Sequence, residues 1–183
     1  MTASATPPPS PTGRDRPAQP QDVVVSEMDG PGDAAAFAAM NRAWIEEFFE
    51  LVEADRQVLY DPQATIVERG GAVLLARAGG AVLGCVVVVP AVPQRPDGTW
   101  ELSKMAVVPA ARRRGIARVL LARALEQART GGAREVLLGS NTVHLAPAIA
   151  LYESFGFAHL DPGQTPPSPY ARANTFMRLA VRP

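Results

Sequence analysis

The run from Val107 to Val119, VVPAARRRGIARV, constrains the fold of this chain more than any other stretch. A short apolar strand reaches Val108, Pro109 stops it, three arginines follow, and Gly115, Ile116 and Ala117 open an amphipathic helix. A helix start leaves backbone N–H groups unpaired and carries partial positive charge, so an anion can rest there if no side chain blocks it. Gly115 and Ala117 keep that approach clear. A strand that feeds a helix through a basic turn also implies a second, parallel strand beyond the helix, reached by a right-handed crossover.

The flanking segments supply that strand and the rest of a sheet. Glu135 to Leu138 (EVLL) reads as the strand after the helix, which runs from Gly115 to about Arg129 and ends at Gly131 and Gly132. Upstream, Asp22 to Val25 reads as a first strand, and Asp33 as the N-cap of a helix from Ala34, whose apolar positions (Phe37, Met40, Trp44, Ile45, Phe48, Phe49) fall at helical spacing. A shorter helix is expected from Val52 to Tyr60. Gly71 to Arg77 and Val82 to Val89 flank AGGA, the composition of a tight hairpin turn. A Pro/Gly-rich loop from Pro90 to Gly98 leads to a strand from Thr99 to Val108. Pro147 opens a short helix to about Phe155, and Phe157 to Leu160 with Thr175 to Val181 should form a final antiparallel pair. The fold class is therefore α/β: a mixed, mostly antiparallel sheet with a central parallel pair, flanked by helices.

Residues 1–21 hold six prolines among Ser, Thr, Ala and Gly and show no apolar periodicity, which predicts a disordered tail ahead of a single domain at 22–183. Net charge is zero and 47% of residues are apolar, so nothing in the composition favours nucleic acid or an anionic membrane. The N-terminus lacks the apolar run of a secretory signal, and no stretch approaches the ~18 apolar residues of a membrane span, which predicts a cytoplasmic protein. Cys85, the single cysteine, lies in the apolar run VLGCVVVV and reads as a buried side chain, not a nucleophile. His144 and His159 stand apart from other metal-ligating types, so no metal is expected. Lys104 is the only lysine among eighteen basic residues and reads as a snorkelling or paired strand residue.

The order of four features carries a resemblance. The pattern RxxGxA spans Arg112 to Ala117, Glu101 precedes Gly115 by fourteen residues, Asn141 follows on the next strand, and LYESFGF runs from Leu151 to Phe157. This succession, about a third of the chain, resembles the core of the GCN5-related N-acetyltransferases. The resemblance implies acetyl-CoA as acyl donor, with its pyrophosphate on the loop and side chains of Arg112, Arg113, Arg114, Gly115, Ile116, Ala117 and Arg118. It implies that the strand at Met105, Ala106 and Val107 bonds the pantetheine arm, and that Asn141 supports that arm from the other side. A strand-end cap is the competing reading of Asn141. Glu101 matches the family's general base, and Tyr152 the acid that protonates the departing thiolate. Strand alternation places Glu101, Ser103, Met105 and Val107 on one face and Leu102 and Lys104 on the other.

Acceptor recognition is expected from the parts least like the family: the first helices (Arg42, Trp44, Glu46, Glu50, Tyr60) and the segment PPSPYARANTF, where Tyr170 and Arg172 are candidates for contact with a carboxylate-bearing or polar acceptor. The expected partner is a small-molecule amine. Rival readings are a protein N-terminal or lysine acetyltransferase and a catalytically silent CoA-binding sensor. A homodimer is expected from the family.

Overall fold

The computed structural model describes residues 23–91 and 98–181. The Pro-rich tail and most of the loop between Pro90 and Gly98 lie outside the described residues. Seven strands form one sheet: β1 (Val24–Glu27), β2 (Ala72–Ala78), β3 (Ala81–Pro90), β4 (Thr99–Val107), β5 (Glu135–Ser140), β6 (Ala158–His159) and β7 (Thr175–Ala180). Four helices flank it: α1 (Gly30–Phe48), α2 (Glu53–Tyr60), α3 (Ile116–Thr130) and α4 (Ala146–Ser154). The strand order is β1-β2-β3-β4-β5-β7-β6, antiparallel except for β4 and β5. This is the expected class, but β7 inserts between β5 and β6, so the last two strands pair with each other at the sheet's edge.

The sheet separates two apolar layers. On one face α3 and α4 bury Ile116, Leu120, Leu121, Ile149 and Tyr152 against Leu74, Val86, Val88, Leu102 and Val136. On the other, Phe37 and Ile45 of α1 and Leu59 of α2 cover Val73, Leu75, Cys85, Val87 and Ala106. Each fully buried aliphatic or aromatic side chain here contributes about 1.5–3 kcal/mol relative to exposure.

Helix α1 begins earlier than its periodicity suggests. Asp29, not Asp33, is the N-cap, and Asp33 in the first turn accepts a hydrogen bond from the Asp29 N–H at 2.8 Å while pairing with Arg77 of β2. Between α2 and β2 the chain makes a π-helical turn, Gln63–Val67, that seats Ile66 in the second core. No sequence signal announced it.

Two features of β4 shape everything nearby. It pairs with β5 only from Thr99 to Glu101, so the strands part beyond Glu101 and leave that side of β4 without a strand partner. Its register with β3 also shifts at Cys85/Val87, opposite Lys104, which takes a left-handed φ of 52°. An extra residue of this kind reverses which side chains face which layer. Leu102 packs on the α3 side, but beyond the bulge it is Met105 and Val107 that do so, while Ala106 faces α1 and Lys104 bonds to α2. The expected alternation, with Lys104 opposite Glu101 and Met105 beside it, is thereby corrected: Lys104 lies on the Glu101 side.

Candidate active site

The parting of β4 and β5 opens a cleft of about 1720 Å³. That exceeds the ~300–1,000 Å³ of an ordinary single-ligand pocket and suits two substrates side by side.

One end is the start of α3. Gly115, with φ 76°, is the N-cap, and no side chain caps the turn that follows. Arg113 also turns left-handed, at φ 60°. Arg112, Arg113, Gly115, Ile116, Ala117 and Arg118 all line the cleft. Arg118 donates to Ser154 Oγ at 3.0 Å and stacks over Phe155, which ties the loop to α4. Arg112 Nε donates to the Val107 carbonyl at 3.2 Å, so that carbonyl is already engaged. Arg114 departs from expectation: its guanidinium bonds the Ala110 carbonyl at 3.4 Å and does not line the cleft, because the left-handed residues on either side turn it out of the loop's concave face. An uncapped helix start walled by arginines and free of Cβ at its first position fits a pyrophosphate.

Further along, Met105, Ala106 and Val107 line the cleft from β4, and Asn141 from the end of β5. The Asn141 carboxamide is committed locally. Its oxygen accepts from the Val143 and His144 N–H groups at 2.9 and 3.0 Å, and its nitrogen donates to the Arg172 carbonyl at 2.7 Å. This is strand-end capping, with one N–H proton left over.

Glu101 stands where the strands divide. Its side chain reaches solvent, yet the cleft walls crowd it, and this desolvation pushes its carboxyl above the usual range against the charges of Lys104 and Arg69. Tyr152 enters from α4, buried against Phe157 with ring centroids 5.8 Å apart. Among the described residues no hydrogen bond holds its hydroxyl, and burial pushes the phenol above its usual range.

The opposite wall holds a cluster centred on Asp55, a residue the sequence reading missed. Asp55 of α2 is completely buried. Its carboxylate accepts Lys104 Nζ at 2.9 Å, both Arg172 terminal nitrogens at 2.8 and 2.6 Å, and the Val52 N–H at 3.2 Å. Burial pushes this carboxyl up, but the Arg172 hydrogen bonds and the Lys104 charge outweigh it and hold the group below the ordinary carboxylate range. Lys104 Nζ also donates to the Tyr170 hydroxyl at 2.9 Å. Arg172 lies over Tyr170 at 4.6 Å and near Phe49 and Trp44 at 5.8 and 6.0 Å. Trp44 is fixed in turn by Asn41, which is buried against Cys85. The one clue to Asp55 was its place four residues before Leu59 on the inward face of a short helix. Tyr170 and Arg172 therefore meet in the cleft as expected, but Tyr60 does not. It is 93% exposed, because α2 turns Asp55 and Leu59 inward and leaves Tyr60 on its outer side.

Comparison with known proteins agrees with this geometry. The model of the acetyltransferase (GNAT) family matches residues 37–157, two thirds of the chain. The chain belongs to the GNAT family. It is 36% identical over 113 residues to the IAA acetyltransferase of Azospirillum brasilense, a match covering 62% of this chain and 71% of that one. It is 42% identical over 82 residues to the N-acetyltransferase YjgM of Escherichia coli, covering 45% of this chain and about half (48%) of the relative. In fold it resembles yncA of Salmonella typhimurium, whose structure contains acetyl-CoA, with a TM-score of 0.67 at 22% identity over 88% of this chain and 95% of that one. This GNAT protein is thus an N-acetyltransferase. Among the described residues no helix is long and apolar enough to cross a membrane.

Proposed function

We propose that this N-acetyltransferase moves the acetyl group of acetyl-CoA to the primary amine of a small molecule, by direct transfer with both substrates bound. The observation that carries the reading is the single continuous cleft. It has an uncapped, arginine-walled helix start at one end, the donor-rich Lys104–Arg172–Tyr170 wall at the other, and Glu101 and Tyr152 along its length.

When bound, acetyl-CoA supplies the activated acyl group. Arg112, Arg113 and Arg118 hold its pyrophosphate on the first-turn amides of α3, and the unpaired side of β4 guides its arm toward Glu101. Glu101 takes the amine proton; desolvation makes its carboxylate a stronger base than an exposed glutamate. The Tyr152 phenol remains protonated at any working pH and donates a hydrogen bond to the departing sulfur. Cys85 supports direct transfer: it is fully buried, and burial pushes its thiol up to about 12, so it supplies no thiolate to carry the acyl group.

The test mixes the purified protein with acetyl-CoA and amino acids, polyamines, aminoglycosides or short peptides, and follows thiol release. Small-amine-dependent release that falls about 100-fold in Tyr152→Phe is expected. Release with peptides alone refutes the small-molecule reading, and undiminished release in the variant removes Tyr152 from the reaction.

A further inference from the structure

The Asp55–Lys104–Arg172–Tyr170 cluster does more than brace α2 against the sheet. Its hydrogen bonds account for every acceptor in it. The Asp55 carboxylate takes four donors and is wholly buried, so it has nothing to offer the cleft. The Tyr170 oxygen accepts from Lys104, which leaves its own proton to be donated elsewhere. Lys104 has three protons and two recorded partners, and its side chain is only 4% exposed. Arg172 has five N–H groups, of which two meet Asp55. All three residues line the cleft. The wall therefore presents donors only, from a group of three charges, Lys104, Arg172 and Asp55, that sums to one positive. Around it stand Trp44, Phe48, Phe49 and Phe176, with the His144 ring 5.3 Å from that of Phe49, while Glu47, Ser103 and Ser168 also line the cleft.

Resting on the small-molecule reading above, we infer that the acceptor is an amino-carboxylate with an apolar or aromatic body, its carboxylate anchored by Lys104, Arg172 and the Tyr170 hydroxyl. A carboxylate is acceptor-only and matches converging N–H and O–H donors, two of them cationic. Lys104 and Glu101 flank the same stretch of β4, so an acceptor anchored at Lys104 holds its amine within reach of Glu101, as an α-amino acid would. The aromatic lining then takes the side chain. The bulge at Lys104 is what makes this arrangement: without it the ammonium would project into the α3 layer.

The test uses matched acceptors: L-phenylalanine and L-leucine, their amides, their decarboxylated amines, and tripeptides beginning with the same residues, each with acetyl-CoA and thiol release as readout. The expected result is kcat/KM at least tenfold higher for the free acids than for amides or amines, a preference that collapses in Tyr170→Phe, which keeps the ring and loses the donated proton together with the oxygen that accepts from Lys104. Equal or better use of amides and amines overturns the anchor and leaves the small-molecule reading standing. Turnover of tripeptides alone overturns both; turnover of nothing in the set overturns the anchor, and the polyamine and aminoglycoside arms of the first test then decide the small-molecule reading. A Tyr170→Phe variant that loses activity equally on acids and amides also overturns the anchor, since a merely structural role would act without regard to the carboxylate.

Discussion

Replacing Asp55 by Asn tests how this wall is held together. The substitution keeps size and shape but removes the one charge that balances two buried or half-buried cations, Lys104 at 4% and Arg172 at 13% side-chain exposure. Breaking a buried pair by deleting one partner costs about 3–5 kcal/mol, because the remaining charge has lost its solvent and its counter-ion. For a chain of this size each kcal/mol moves the melting temperature by about 2–4 °C, so Tm should fall on the order of 6–20 °C. Thermal and urea denaturation at pH 7 measure it. Lys104→Met in the Asp55→Asn background should recover part of the loss, with a coupling of at least about 1 kcal/mol in a double-mutant cycle. The pH dependence carries a sign. The Asp55 carboxyl lies below its unfolded value of about 3.9, so its contribution is complete above that value and disappears as pH falls through the folded one. The stability gap between wild type and Asp55→Asn should stay constant from pH 7 to about 5 and close below 4. A loss under about 1 kcal/mol, additive behaviour with Lys104→Met, or a gap that widens in acid would refute the reasoning.

Other substitutions probe separate parts of the molecule. Glu101→Gln should lower kcat about 10²–10⁴-fold and abolish the acidic limb of the pH–rate profile, which in wild type should lie above the ordinary glutamate range because desolvation raises this carboxyl; a limb unchanged in the variant assigns it to another group. Gly115→Val forces a β-branched residue into φ 76° at the α3 N-cap, and should raise KM for acetyl-CoA at least tenfold with little change in acceptor KM. Gly131→Ala places a Cβ 2.3 Å from Trp100 Cζ2, and should cost about 1–3 kcal/mol in urea denaturation without altering KM for either substrate.

The layers of this fold were legible because their signals are local. Helical spacing in α1 and α3, the AGGA turn, and the Gly131–Gly132 stop each act within a few residues, and the observed elements follow them to within a few positions. The basic loop was legible for the same reason: a strand, a turn and a helix start are contiguous in the chain. Tyr60 and Arg114 misled because composition marks them as functional types while orientation decides whether they reach the cleft. Asp55 escaped because its partners lie 49 and 117 residues away, and beyond its spacing to Leu59 nothing in EADRQVLY distinguishes a buried carboxylate from a solvated one.

Lys104 shows most clearly what a period-two reading leaves out. A strand pattern assigns faces by counting, and the count is valid only while every residue of one strand opposes one of its neighbour. Here Val86 faces an extra residue, and a non-glycine side chain accepts a left-handed backbone that costs about 1 kcal/mol or more. Such strain persists only where the surroundings repay it, and the repayment is visible: the ammonium that would have been buried among Leu120 and Leu102 meets Asp55 and Tyr170 instead. The same kink faces the side on which β4 has parted from β5. One irregular residue therefore does two things at once, reversing the strand's faces and carrying the single lysine of the chain into the wall of the cleft. Deleting Lys104 removes the extra residue opposite Val86 and should restore regular alternation with β3. It should also disconnect Asp55 from the sheet, with a Tm loss like that of Asp55→Asn; an unchanged Tm would mean that the bulge is incidental to the cluster.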